Sequence, residues 1–249
     1  MRCFYTTLFL IMTHCTTLEK LELQPGLQAS YSGFVPARIA VAPCRLLPKA
    51  AFYKSLPLHN LLDPDLQKLC QKFDSEVIEA FTGQPFMNGF TPQKILKLLE
   101  ASAQPDHLKN LDKIWQESAS FCDDCKDILS AYNQKIAHTN SWQIWLTQFS
   151  QWTEYSDALL LPLVLYGQEK KWDDRGLLYG QRQAEIALLL IDTNKSSLIW
   201  MRNSFTQKVS QKLLSQNDST PPEYPAWETL YPQLFVKYLW HDFPGRITP

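Results

Sequence analysis

Residues 182–205 read RQAEIALLLIDTNKSSLIWMRNSF. From Ala184 to Ile191 the apolar side chains are nearly continuous, as in a strand buried on both faces. Asp192 and Asn194 interrupt the run. Their short side chains bond to nearby backbone and favour tight turns. Leu198–Trp200 then resume it. The stretch predicts a β-hairpin, with Asp192 as a turn residue and not a catalytic one.

Working outward, DALLLPLVLYGQ (157–168) is a second apolar run and predicts another strand. Pro162 would place that strand at a sheet edge or a bulge. KKWDDRGLLYG (170–180) reads as a turn or the tip of a long hairpin. In RIAVAPCRLLP (38–48), Ile39–Val41 predict a short buried strand that ends at Pro43. Downstream, TQKVSQKLLSQ (206–216) has the spacing of an amphipathic helix. AWETLYPQLFVKYLWHDFPG (226–245) predicts a final helix, with Pro232 early in it and Trp227, Leu230, Leu234, Phe235, Tyr238 and Leu239 available for burial.

The region between the first strand and residue 157 is helical in pattern. Asp63 and Pro64 mark a helix start, since Asp accepts from unpaired backbone donors and Pro gives up an N–H that had no partner. Leu66, Leu69, Cys70, Phe73, Val77 and Phe81 follow at three- or four-residue spacing, and Gly83 stops the helix. A second helix follows Thr91 and Pro92 with Ile95, Leu98 and Leu99 inward. A third carries Leu108, Leu111, Ile114 and Trp115. Two more are expected around 122–137 and 141–153, where Trp142, Trp145, Leu146, Phe149 and Trp152 share a broad face. That face reads as core packing and not as a ligand platform. The fold class is therefore α/β: a single mixed or largely antiparallel sheet with packed helices, behind an N-terminal signal and tether. The domain spans 38–243.

Composition narrows the function classes. The chain has 249 residues, of which 45% are hydrophobic, enough for one sizeable core. Its 24 basic and 25 acidic side chains leave a net charge of -1. A nucleic-acid binder needs a basic surplus to neutralise phosphates, and this chain has none, so no nucleic-acid partner is expected. With eight glycines, it contains neither G-x-G-x-x-G nor G-x-x-x-x-G-K. G-x-S-x-G and H-E-x-x-H are also missing, and His59, His107, His138 and His241 stand apart in polar or turn contexts. No catalytic residue, cofactor-binding residue or metal ligand is assigned, no cofactor is expected, and the chain reads as not an enzyme.

FCDDCKD (121–127) holds the sharpest local candidate, Cys122 and Cys125. The spacing suits a disulfide, two free thiols, a redox couple or half a zinc site. Zinc lacks its further ligands beyond His138, and Asp123 and Asp124 oppose a stabilised thiolate. WDDRG (172–176) reads as a solvated hairpin tip, because Asp173 and Asp174 lack a third ligand. Cys44 and Cys70 read as core residues able to pair in an oxidising compartment, with connectivity left open.

The first residues, MRCFYTTLFLIMTHC, place Arg2 before a short apolar run that ends at Cys15. The run is too short to span a bilayer, which takes about 20 residues. It resembles a bacterial lipoprotein signal (1–14), in which Cys15 would receive the lipid and residues 15–37 would form a flexible tether; His14 departs from the usual small residue. A misassigned translation start is the other reading. RIAVAPC, YSDALLLPLVLYG and AEIALLLIDTNKSSLIW further resemble the periplasmic α/β domains of bacterial envelope lipoproteins of the CsgG/LpoB-like group. The resemblance implies a non-enzymatic structural, assembly or protein-interaction module at the periplasmic face of the outer membrane. It implies membrane contact through the lipid on Cys15 and an envelope protein partner or a homo-oligomer. The alternatives are an exported thiol/disulfide protein using Cys122 and Cys125, and a cytosolic α/β protein with a misassigned start.

Overall fold

The computed structural model describes residues 27–28, 34–46, 63–81, 90–102, 104, 106–120, 128–213, 223–235, 237–240 and 242–244. Strands β1 (Leu27–Gln28), β2 (Ile39–Val41) and β3 (Arg45–Leu46) come first. Helices α1 (Asp63–Phe81), α2 (Pro92–Ala101), α3 (His107–Ser120), α4 (Ile128–Ala131) and α5 (Asn140–Trp152) follow. Strands β4 (Ala158–Asp174), β5 (Leu177–Asp192) and β6 (Leu198–Leu213) are long, and the short helix α6 (Tyr231–Leu234) lies near the end. These strands make one six-stranded sheet in the order β1-β6-β5-β4-β2, with β3 also on β4. It is mixed: β2 and β3 run parallel to β4, and the other pairings are antiparallel. The expected fold class holds.

Helices cover both faces of the sheet, which explains the unbroken apolar runs. On one face Leu159, Leu161, Leu163, Ala187, Leu189 and Ile191 meet the buried sides of α2, α3 and α5. On the other, Leu160, Ile186, Leu188, Leu190 and Trp200 meet Leu69, Phe73 and Val77 of α1, with Trp227, Leu230 and Leu234 from the C-terminal segment. Trp142, Trp145 and Phe149 are buried in the first core, so their spacing is packing, as expected. The Trp142 indole N–H donates to the Tyr132 hydroxyl at 3.2 Å, and that hydroxyl donates to the Ser196 carbonyl at 2.9 Å. α5 is thereby tied to the β5–β6 turn.

Two turns and one long-range side-chain clamp fix the register. Arg175 and Gly176 both have positive φ, 50° and 81°, and join Asp174 to Leu177 across a two-residue loop. Two left-handed residues match the twist of the flanking strands, and glycine takes that conformation without strain. At the other end, Asp192 Oδ1 accepts the N–H groups of Asn194 at 2.8 Å and Lys195 at 3.0 Å. The carboxylate is buried and committed to the turn, as its sequence context suggested. Asp192→Ala would strand two donors, and about 1–2 kcal/mol of stability should be lost in denaturant unfolding, with Asp192→Asn keeping most of it. Finally, Asp157 Oδ2 accepts from Ala37 N at 3.0 Å and Arg38 N at 2.9 Å.

Pro162 lies in an inner strand and not at an edge. β2 pairs with Ala158–Leu160 and β3 with Leu163–Val164. The Ala42 N–H donates to the Leu160 carbonyl at 2.9 Å, so Leu160 presents its backbone to β2. Residues two apart present theirs to the same side, so the N–H that Pro162 lacks would face the break between β2 and β3. The bulge is nearby, between Val164 and Tyr166.

Three further expectations are corrected. The stretch 206–216 is no helix through residue 213, because β6 continues there and pairs residue by residue with β5, Gln207 with Gln183 and Ser210 with Gly180. Ladder pairing overrides the helical spacing of Val209 and Leu213. The final helix is broken into 3-10 turns at Trp227–Thr229 and Lys237–Trp240 around α6, which has Pro232 in its first turn. In the expected 122–137 helix the described part is α4 followed by a π-turn at Tyr132–Ile136. Within the stretch read as tether, Leu27 and Gln28 pair with Met201 and Trp200 at the sheet edge.

Candidate functional site

Cys15, Cys122 and Cys125 lie outside the described residues. Of the other candidates, Asp173 and Asp174 are exposed beside the β4–β5 turn, and His138 is exposed next to α5. These groups are not brought together. Among the described residues there is no cluster of three or more His, Cys, Asp or Glu that could hold a metal. No described helix is long and apolar enough to cross a membrane.

What the fold does assemble is a disulfide and its surroundings. Pro43 ends β2 and sends the chain toward α1, where Cys44 bonds Cys70 with a Cα–Cα distance of 5.3 Å. Cys70 sits on the buried stripe of α1, and Asp74 is one turn further along the same face. Asp74 Oδ1 accepts the Cys44 backbone N–H at 2.8 Å. Burial pushes this carboxyl up to about 6, against the opposing pulls of the Cys44 N–H and the Arg45 charge. Arg45 in turn grips Asp112 of α3, with Nε 2.9 Å from Oδ1 and Nη2 bonded to Oδ2. The segment from Ala42 to Leu46 is thus fastened to α1 on one side of the sheet and to α3 on the other. The site sets a half-buried carboxyl against the backbone of one half of a disulfide. Sequence reasoning saw the two cysteines but missed Asp74; its position four residues after Cys70 was the available signal.

A second buried group was misplaced by its sequence context. His107 opens α3 and is buried, although Asp106, Lys109 and Asn110 around it in sequence are polar. Its ring stacks on Trp145 at 4.6 Å and meets the edge of Trp152 at 4.1 Å. Among the described residues Nε2 has no hydrogen-bond partner, and burial lowers the imidazole to about 4, so the ring is neutral at neutral pH. It borders a shallow cavity of about 300 Å³ between α3 and α5, together with Lys113, Ile114, Ser141, Ile144 and Gln148.

Beyond the helix layers the three long strands continue as an arm. Lys170, Lys171, Asp173 and Gln211 are exposed there, and so is Val209 at 49%. Trp172 stacks on Tyr179 at 5.0 Å, and Gln207 Oε1 accepts from the amides of Gln181 and Gln183. On the opposite side Arg182 pairs with Glu169 at 2.8 Å and donates to the Pro225 carbonyl, which lays the segment at 223–227 against the arm. The arm presents polar and aromatic surface.

No family model matches the chain, and no curated protein matches its sequence. Solved structures that align with the chain include lipoprotein GNA1162 from Neisseria meningitidis, with TM-score 0.34 and 11% identity over 74% of this chain and 88% of that one. A PelC dodecamer from Paraburkholderia phytofirmans aligns with TM-score 0.35 and 11% identity over 92% and 100% of the two chains. The hypothetical protein CT253 from Chlamydia trachomatis gives TM-score 0.28 and 8% identity over 74% and 76%. At these values the likenesses carry no functional conclusion.

Proposed function

We propose that the chain is a non-enzymatic lipoprotein of a bacterial cell envelope. Acyl chains on Cys15 hold it at the periplasmic face of the outer membrane, and it acts there as a structural, assembly or interaction module. The observation that carries this reading is the Cys44–Cys70 disulfide inside the folded domain. Such bonds form and persist in oxidising compartments, and cytosolic thiol pools keep their counterparts reduced. An exported fold agrees with the short apolar run before Cys15. Two or more acyl chains at about 0.8 kcal/mol per buried methylene would hold a soluble domain firmly at a bilayer. The β4–β6 arm is the surface offered to an envelope partner or a second copy.

Metabolic labelling with a lipid precursor, read by intact mass and membrane fractionation, tests the reading. The mature protein should begin at a lipidated Cys15, and Cys15→Ala should abolish the label and release the protein from membranes. A full-length cytoplasmic product with an unmodified thiol at position 15 would overturn the proposal.

A further inference from the structure

The Cys44–Cys70 bond does more than staple. A structural disulfide needs no acid or base beside it, yet here a carboxyl occupies the same face of α1 one turn after Cys70 and reaches across to the Cys44 N–H at 2.8 Å. Helical spacing of four residues sets Cys70 and Asp74 on one face of α1, and the Asp74 carboxylate holds the backbone N–H of Cys44, the other half of the bond. Both cysteines are buried, but Cys44 keeps 8% and Cys70 9% of its exposure where Leu69 and Phe73 beside them keep none. Among the described charged groups, the one acting on Asp74 is Arg45 of β3, and Asp112 of α3 shares that charge. On α1 itself, Lys72 is engaged with Glu76 at 2.6 Å.

We propose that Asp74 is the proton acceptor and donor for making and breaking the Cys44–Cys70 disulfide, which makes this pair an exchangeable redox site and not an inert brace. In closure, the Asp74 carboxylate first takes the proton of one cysteine, for instance Cys44, whose sulfur attacks an oxidant of the small-molecule or protein disulfide class; a mixed disulfide forms on Cys44, and the expelled half of the oxidant leaves as a thiolate that picks up the proton. The Asp74 carboxylate takes the proton of the Cys70 thiol. The sulfur attacks Cys44 Sγ, the Cys44–S–S–Cys70 bond forms, and the oxidant's thiolate leaves with the electron pair. In opening, a thiolate of the small-molecule or protein thiol class attacks Cys44 Sγ, a mixed disulfide forms there as the Cys44–Cys70 bond breaks, and the Asp74 carboxyl gives its proton to the departing Cys70 sulfur; a second thiolate then attacks the mixed disulfide and frees Cys44. The carboxyl, raised to about 6, changes protonation in the range where both directions need it. The burial of an ionised carboxylate costs stability at neutral pH, a cost of the kind that proton-transfer sites carry. The inference rests on the oxidising compartment proposed above, but not on the lipid, so the Cys15 labelling and the experiment below fail independently.

The test uses the full chain, reduced with dithiothreitol, desalted and exposed to glutathione disulfide. Alkylation quenching and peptide mass spectrometry follow closure at Cys44 and Cys70 alone, and circular dichroism shows that the reduced form keeps its sheet. In the wild type the closure rate should level off above pH 6. In Asp74→Asn, which keeps the acceptor oxygen for the Cys44 N–H, it should climb about tenfold per pH unit toward the ordinary thiol pKa near 8.5. At pH 7 the wild type should then close at least about tenfold faster. Asp112→Asn should keep the plateau, because it alters the Arg45 pairing without touching the carboxyl. Should the reduced variant unfold, the folded oxidised proteins are reduced instead, with rates corrected for dithiothreitol thiolate, and the wild type should be faster below pH 6. Superimposable pH profiles for wild type and Asp74→Asn in the direction measured would overturn the proposal.

Discussion

Replacing both Cys44 and Cys70 with alanine is expected to lower the unfolding free energy by about 3.5 kcal/mol and Tm by about 10 °C. The bond closes a sequence separation of 26 residues. Removing a closed loop of that length from the unfolded ensemble returns about 12 cal/mol/K of chain entropy, which at room temperature is the quoted free energy. The native sheet should survive, because α1 still buries Leu69, Phe73 and Val77 against Leu160, Ile186 and Leu188. Urea unfolding monitored by circular dichroism would therefore show a shifted midpoint with a native baseline of unchanged shape. Cys122→Ser with Cys125→Ser is the control. An unchanged midpoint in the alanine variant would mean that Cys44 and Cys70 are not bonded in the folded chain. Oxidative folding in vitro should show the same dependence, with dithiothreitol lowering the wild-type midpoint to that of the variant.

Legibility in the sequence followed burial. The β5–β6 hairpin could be read because Leu188–Ile191 are covered on both faces and Asp192 sits where a turn needs a local acceptor. The stripes of α1, α2, α3 and α5 could be read because each packs one side against the sheet. Burial fails as a guide along the arm. There, positions such as Lys208 and Gln207 alternate on β6 without an apolar side, so a period of two leaves no trace in hydropathy. What remained was the spacing of Val209 and Leu213, which suits a helix, and only the ladder to β5 decides otherwise. The candidate site was less legible still. Cys44 and Cys70 are joined by tertiary placement of α1, Asp74 matters only once they are joined, and Asp112 enters from another helix altogether. His107 is polar in type and starts a helix, both marks of exposure, but Trp145 and Trp152 close over it.

The two displaced titrations predict a stability profile that is flatter in acid than either alone would allow. His107 is held down to about 4 by burial, against 6.5 for the free group. The unfolded chain therefore takes up this proton first. Stability from keeping His107 neutral is complete above pH 6.5, drains as the pH falls, and is gone by about 4; the full amount is about 3.4 kcal/mol. Asp74 works in the opposite sense. Its folded value of about 6 stands above the ordinary 3.8, so the folded protein takes this proton first. Its contribution is complete below 3.8 and is lost as the pH rises through 6. About 3 kcal/mol follows from the shift, reduced to about 2 kcal/mol because water still reaches the half-buried carboxyl. Between pH 6.5 and 4 the two slopes largely cancel, and the wild type should lose only about 1 kcal/mol. Separating them makes the prediction sharp. Asp74→Asn removes the compensating group, so its stability should fall by about 3.4 kcal/mol over that interval. His107→Leu removes the opposing one and the unpaired Nε2 with it, so its stability should rise by about 2 kcal/mol on acidification from pH 6 to 4. Urea titrations at half-unit pH intervals on the three proteins give the curves. Parallel curves would show that neither group titrates abnormally in the folded chain. A slope of the wrong sign in His107→Leu would show that Asp74 is ionised more readily when folded, which would leave a weaker base beside the disulfide for closure and no proton on the carboxyl for opening.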